Sequence, residues 1–209
     1  MTTYLGIDVG TSAIKAVLVD EAQAVLAEAA VPLDVQRPHP LWSEQDPEAW
    51  WRAVEDATAH LRRDAPEAFG DVRAIGLSGQ MHGAVLLGGD DRPLHPAILW
   101  NDGRSHAEAA ALNRDHPDLP GITGVLAMPG FTAPKLAWLQ RHDPAAFAAI
   151  RTVLLPKDFV AFRLTGERVT EMSDAAGTWW LDEAARDWSD AALAATGLER
   201  RHMPRLVEG

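Results

Sequence analysis

The chain opens on two apolar runs. Tyr4, Leu5, Ile7 and Val9 form the first, Gly10, Thr11 and Ser12 make a turn, and residues 14–19 form the second. Two β-rich runs joined by a short Gly-containing turn predict a hairpin. Glu21 and Ala22 make the next turn and residues 24–33 give a third strand, so this part predicts a meander on one sheet. A Pro-rich loop runs over residues 37–47. Asp46 stands where an N-cap belongs, with Pro47 at the first helical position and Glu48 in the first turn. Trp50, Trp51, Val54, Ala57 and Leu61 recur at helical spacing, predicting a helix that lays one face on the sheet and ends near residues 64–66.

Residues 72–77 predict a strand that runs into Ser78, Gly79, Gln80, Met81, His82 and Gly83, and residues 84–87 predict another. Residues 88–91 have the composition of a hairpin turn. Residues 97–100 predict a strand that breaks into Asn101, Asp102, Gly103 and Arg104, and residues 107–112 a helix. Residues 117–134 are rich in Gly and Pro without a period, and read as loop. Helices are predicted over 135–140 and 145–150, with Pro144 between them. A short strand over 153–155 precedes a helix over 158–164 that Gly166 ends, and Ser189 caps a last helix closed by Gly197. With no repeat, low-complexity segment or obvious linker, the pattern predicts one α/β domain.

Composition narrows the partners. The 209 residues are 47% hydrophobic, enough for a sizeable core. Acidic residues outnumber basic ones 30 to 19, for a formal charge of −11, with no Lys- or Arg-rich run. Such a field repels nucleic acid and anionic membranes, so neither is an expected partner. It repels a free nucleotide too, so a phosphate site has to rely on local donors and a metal. Cysteine is absent, which excludes disulfides and thiolate metal sites and fits a reducing cytoplasm. The N-terminus enters a strand with no basic and apolar leader, and no apolar run approaches the ~20 residues that cross a bilayer. The expectation is a soluble, cytoplasmic protein.

Candidate chemistry gathers at strand ends. Asp8 lies in the first apolar run, beside Gly6 and Gly10, where a plain core strand would carry another valine. A carboxylate there costs free energy unless it is paired, hydrogen-bonded or coordinated. Amides and hydroxyls of Gly10, Thr11 and Ser12, with Lys15 close by, suit a phosphate chain and its Mg²⁺. An ordinary hairpin with an acidic turn fits the same residues. His82 sits between a strand and Gly83, and Trp100 offers an indole that could be core or could stack on the apolar face of a sugar ring. Asp102 and Arg104 could border the same pocket or simply pair with each other. Polar clusters at several strand ends suggest one crevice assembled from distant sequence.

Taken in order, GIDVGTSAIK, RPHPLWSEQDPEAWW, GQMHGAVLL, AILWNDGR, MPGFTAPKLAWLQRH, VLLPKDF, MSDAAGTWWLD and RDWSD resemble the N-terminal half of FGGY carbohydrate kinases of the xylulokinase branch, over essentially the whole length. Residues 130–142 fit the first signature of that family, with Thr132, Lys135, Trp138 and Leu139 at the expected spacing. Each motif alone is weak and the ordered set is specific.

The resemblance implies a ribonuclease-H-like α/β fold of the actin, Hsp70 and sugar-kinase superfamily, a mixed sheet flanked by helices. It implies that residues 1–209 are a sugar-binding domain, with the C-terminal nucleotide-binding domain absent from this chain. The implied substrates are ATP with Mg²⁺ and D-xylulose or a similar small sugar; ribulose, gluconate and glycerol kinases stay as alternatives, as does a non-catalytic sugar-sensing relative, and a homodimer stays open. Asp8 would position Mg²⁺ and the phosphates, with Thr11, Ser12 and Lys15 near the transferred group. Met81 and His82 match the sugar-contacting pair, where glycerol kinases carry an Arg-Glu pair, and Trp100, Asp102 and Arg104 would border the pocket. Gly130 stands where some relatives place a larger sugar-contacting side chain. Lys135 is expected to pack or to make a structural ion pair. The family's general base, an aspartate in a Gly-Asp motif, has no match here; Asp174 does not occupy that position. The 209 residues alone are therefore expected to be inactive.

Overall fold

The structure is a computed structural model and describes residues 2–208. In chain order, β1 (Thr3–Val9), β2 (Ala13–Asp20), β3 (Val25–Pro32) and the short β4 (Glu44–Gln45) precede the helices α1 (Pro47–Asp64) and α2 (Pro66–Gly70). Strands β5 (Val72–Gly79), β6 (Val85–Leu87) and β7 (Ala97–Ile98) follow, then α3 (His106–Asp115), α4 (Pro120–Thr123), α5 (Thr132–His142) and α6 (Pro144–Ala149). The rest is β8 (Thr152–Leu154), α7 (Pro156–Thr165), β9 (Val169–Glu171), α8 (Met172–Ala176), β10 (Leu181–Asp182), β11 (Asp187–Trp188), α9 (Asp190–Ala195) and β12 (Arg205–Val207). The described residues pack as two compact units, residues 2–35 with 47–80, and residues 36–46 with 81–208.

The first unit is a four-stranded sheet in the order β3-β2-β1-β5. The meander makes its three antiparallel strands and β5 joins β1 in parallel, so the sheet is mixed. The parallel strand requires a crossover, and α1 supplies it. Leu5, Ile7, Val9, Ile14, Ala16 and Leu18 are buried, and so are Trp50, Ala53, Val54, Ala57 and Leu61 of α1, which packs on β2 and β3. The period-two and helical patterns thus find each other. The opposite face, with Gly6, Asp8, Lys15 and Ser78, stays open around a cavity of about 790 Å³.

The second unit has its core on α5, β8 and the segment of Trp179, Trp180 and Leu181. Three buried indoles each find an acceptor for the N–H that would otherwise be stranded. Trp179 donates to the carbonyl of Val125, Trp180 to Thr196 Oγ1 and Trp188 to the carbonyl of Pro204, at 3.1, 2.9 and 2.9 Å. Three of its strand pairs span long sequence distances, β6 with β8, β4 with β7, and β9 with β12, while β10 and β11 pair locally.

That pairing is where the local reading of the sequence differs from the structure. The strand expected over 97–100 is the two-residue β7, and its partner β4 lies in what read as a Pro-rich loop. The stretch 117–134 contains α4 and the first turn of α5. Pro144 begins α6 rather than separating two helices, as the fixed φ of proline allows at a first helical position. Gly166, at φ 77°, ends α7 as expected, and the Ser189 side chain caps α9 by accepting from the Ala192 amide. Among the described residues no helix is long and apolar enough to cross a membrane.

Leu18 is fully buried between the sheet and α1. Leu18→Ala is expected to cost about 2–5 kcal/mol by lost transfer and residual cavity. Urea denaturation followed by tryptophan fluorescence measures it, as a lower midpoint at unchanged slope.

Candidate functional site

Within the first unit, the β1-β2 turn explains its charge. Alternation along β1 turns Ile7 and Val9 toward α1 and leaves Asp8 on the open face, so the carboxylate is only half-buried. Its Oδ1 accepts the hydroxyl of Ser78 on β5 at 3.0 Å. Register sets Lys15 directly across the hairpin from Asp8, exposed on the same face. Thr11 donates its hydroxyl to Gln80 Oε1 at 2.9 Å, and the Gln80 amide donates to the Val9 carbonyl, which ties the turn to the end of β5. A Cβ at Gly10 would lie 2.8 Å from the backbone oxygen of Ala13, so the turn has room only for glycine. Ser12 is exposed beside it and its carbonyl accepts from the Leu33 amide. Asp8, Thr11, Ser12 and Lys15 are thus brought together at one corner of the sheet.

Within the second unit, His82 is the unusual residue. Its φ is 63°, in the left-handed region that few non-glycine residues enter. The Gly83 amide donates to the Met81 carbonyl at 2.8 Å, closing a three-residue turn with His82 at its centre, a rare and strained geometry when φ is positive. The His82 carbonyl accepts from Lys135 Nζ at 2.8 Å and from Thr132 Oγ1 at 3.2 Å. Its ring packs on Phe131 at 4.7 Å between centroids and on the backbone of Gly177, where a Cβ would come within 2.4 Å of Cε1. Nδ1 is buried and has no hydrogen-bond partner. Burial, and then the positive charge of Lys135, push the imidazole down to about 4, against a weaker opposing pull from the Gly177 carbonyl. His82 is therefore a neutral imidazole at pH 7. Met81 beside it is 46% exposed.

Asp102 and Arg104 are occupied with each other. Arg104 donates Nε and Nη2 to Asp102 at 2.9 and 2.7 Å and Nη2 again to Glu44 Oε2 at 2.8 Å. Asp102 also accepts the amides of Ser43 and Arg104, at 2.6 and 2.8 Å. The guanidinium lies 3.7 Å from the centroid of the Trp42 ring, and Trp42 meets Trp138 edge-on. Both residues are buried, so the network fastens the loops around β4 and β7. Removing one partner of such a buried pair costs about 3–5 kcal/mol. Trp100 is different, at 44% exposed. Its carbonyl would lie 2.5 Å from a Cβ on Gly130, so a larger side chain there is excluded by backbone contact.

Lys135 is fully buried, and burial, opposed by the charge of Asp102, pushes its ammonium down to about 7. Of the two roles the sequence left open, packing or a structural ion pair, it is buried in the packing and makes no ion pair; its hydrogen bond goes to the His82 carbonyl. A second cluster was not foreseen: Lys157 Nζ lies 2.6 Å from Asp158, 3.0 Å from Asp174 and 3.5 Å from Glu171. Burial pushes the Asp158 carboxyl up to about 6 even beside that lysine. Phe131, Thr132 and Gly177 around His82 were also not singled out as neighbours of the histidine. Their signal was present, in the signature over 130–142 and in MSDAAGT, but nothing local linked either segment to residue 82.

The chain and its fold have close counterparts. Residues 3–209 match the model of the FGGY family of carbohydrate kinases, N-terminal domain. A xylulose kinase of Escherichia coli (strain K12) is 54% identical over 206 residues, covering 99% of this chain and 42% of that protein. The crystal structure of a xyloylose kinase from Brucella ovis superposes with a TM-score of 0.97 at 56% identity, over 99% of this chain and 43% of that one. A gluconate kinase from Lactobacillus acidophilus superposes with a TM-score of 0.92 at 27% identity, over 99% and 42%. The chain thus spans less than half the length of these relatives.

Two outcomes follow from the cage around His82. Gly177→Ala is expected to expel the ring, raising its protonation midpoint from about 4 toward the ordinary 6.5, read from the imidazole resonances in an NMR titration. In the native chain the unfolded state binds more protons than the folded one between those two values. The His82 contribution to stability is therefore expected to fall on acidification through that window, opposite in sign to that of Asp158, and Gly177→Ala removes the His82 part, read as the difference between variant and native urea midpoints at pH 4.5 and 7.

Proposed function

The chain belongs to the FGGY family of carbohydrate kinases, and we propose that it is the sugar-binding part of an ATP-dependent kinase whose acceptor is D-xylulose. The observation that carries this reading is His82, a neutral ring in a strained turn, with a buried Nδ1 that has no hydrogen-bond partner and an exposed Met81 at its side. A neutral imidazole donates from one nitrogen and accepts at the other, which suits a ring or chain of hydroxyls. Trp100 adds an exposed indole for an apolar sugar face. The relatives named xylulose kinase support a ketopentose over glycerol or gluconate.

For the phosphate end, we assign Asp8, Thr11, Ser12 and Lys15. One carboxylate, two hydroxyls, glycine amides and an ammonium fit a magnesium nucleotide, since Mg²⁺ takes one or two carboxylates and completes its shell with phosphates and water. No group of three or more metal-ligating side chains occurs among the described residues, so the ion would arrive with its nucleotide rather than sit in a protein cage. When bound, the nucleotide supplies the phosphoryl group and the ion neutralises its charge. The chain's own part is to orient: Ser78 holds the Asp8 carboxylate, and Gln80 holds the Thr11 hydroxyl. Asp102 and Arg104 act by fixing the loop that carries Trp100. A cytoplasmic setting agrees with the absence of cysteine.

Phosphoryl transfer depends on positioning from both sides of the reacting groups. With relatives more than twice as long, the 209 residues alone are expected to give no turnover above a blank in an ATP-coupled assay with D-xylulose. In the full-length enzyme, His82→Ala is expected to weaken D-xylulose binding about tenfold or more by calorimetry, the scale of one or two lost hydrogen bonds. Asp8→Ala is expected to cut kcat while leaving sugar affinity within about twofold, since an interaction confined to the transferred phosphate is felt in turnover. Equal sugar affinity in wild type and the histidine variant removes the assignment.

A further inference from the structure

Lys135 is a fully buried lysine without an ion pair, an arrangement that costs free energy unless something requires it. Its hydrogen bond to the His82 carbonyl is reinforced by Thr132, also fully buried, on the same oxygen. That oxygen belongs to a residue at φ 63° in a three-residue turn. Strained backbone of this kind persists where the surroundings over-determine it. The donors are themselves fixed, because the Ala133 amide in the same first turn of α5 donates to the Thr178 carbonyl at 3.0 Å. Thr178 follows Gly177, whose bare backbone receives the His82 ring. Residues 82, 132–135 and 177–178 therefore close a loop of contacts in which the carbonyl is gripped from one side and the imidazole seated from the other.

We propose that Lys135 and Thr132 are positioning residues for sugar recognition, holding the His82 carbonyl so that the residue keeps its left-handed turn and presents its imidazole to the sugar. This rests on the reading of His82 as a sugar contact. The lysine serves here as a donor rather than as a counter-charge. A methyl-ended side chain of similar length fills its space but leaves the carbonyl ungripped.

The test is a double-mutant cycle in the full-length enzyme, with D-xylulose affinity by calorimetry and KM for ATP alongside. Lys135→Met and Thr132→Val are each expected to weaken D-xylulose binding, the lysine change by about tenfold and the threonine change by about threefold, on the scale of charged and neutral hydrogen bonds. ATP KM stays within about twofold. In a His82→Gly background, where the ring is gone and the turn unstrained, both changes are expected to shift affinity by less than about twofold. Equal losses in both backgrounds, or no loss in either, would overturn the proposal. A second readout needs no sugar: Thr132→Val changes no charge, so loss of the NMR contacts between the His82 and Phe131 rings reports a released turn, and their retention counts against the clamp. If His82→Gly alone leaves affinity unchanged, the sugar-contact reading fails while the NMR readout still decides the clamp. If Lys135→Met does not fold, Thr132→Val carries both measurements.

Discussion

The second unit is built to let one buried lysine reach one carbonyl. Lys135 has left water without a counter-ion, and what it reaches is the backbone oxygen of His82. Such a donor is costly to bury and costly to lose, because the carbonyl it satisfies would otherwise be stranded in the same interior. The first turn of α5 therefore has to lie against the turn after β5, which in turn fixes where Phe131 and the 175–178 segment can go. Glycines mark the closest approaches. Gly177 makes way for the imidazole, Gly83 for Pro156 and Gly130 for the Trp100 carbonyl. At each, a single methyl group would collide with its neighbour.

The first unit was legible because its information is local. Strand, turn, strand, turn and strand follow one another in sequence and pair in that order, and the apolar stripe of α1 needs only the nearest sheet face to settle on. The candidate phosphate corner could be read for the same reason, since Asp8, Thr11, Ser12 and Lys15 lie within one hairpin. What sequence could not say is why the carboxylate is tolerated. It is not in the core at all; alternation puts it on the open face, with a hydroxyl from residue 78 to accept.

The second unit hid its logic because its partners are far apart. β4 and β7 are two residues each and gain meaning only from pairing across more than fifty positions. No periodicity exists in a two-residue strand. Met81 and His82 stood out because a polar pair at a strand end is visible locally, whereas the neighbours that hold His82 sit roughly fifty and ninety-five residues away in sequence. Lys135 was noticed through its motif and left between packing and an ion pair, because a sequence shows that a lysine is present but not that it is sealed from water with a carbonyl for its partner.

A simple physical distinction then separates polar groups that support the structure from those that face a ligand. Asp102 and Glu44 pair with Arg104 through its Nε and Nη2, and Lys157 is surrounded by three carboxylates. Groups so engaged have little left to offer, and moving them would strand charge in the interior. His82 is the reverse case: its carbonyl is held by two donors while its buried Nδ1 has no hydrogen-bond partner. Asp8 resembles it, with one oxygen bound to Ser78 on an otherwise open face. Rigid support beneath an unsatisfied head group is what preorganisation requires, since the ordering cost is met in folding rather than at binding. By that criterion the pairing of Asp102 with Arg104 ties up most of their hydrogen-bonding capacity. The neutral imidazole and the half-bound carboxylate each keep a polar atom that has not been taken up by the protein.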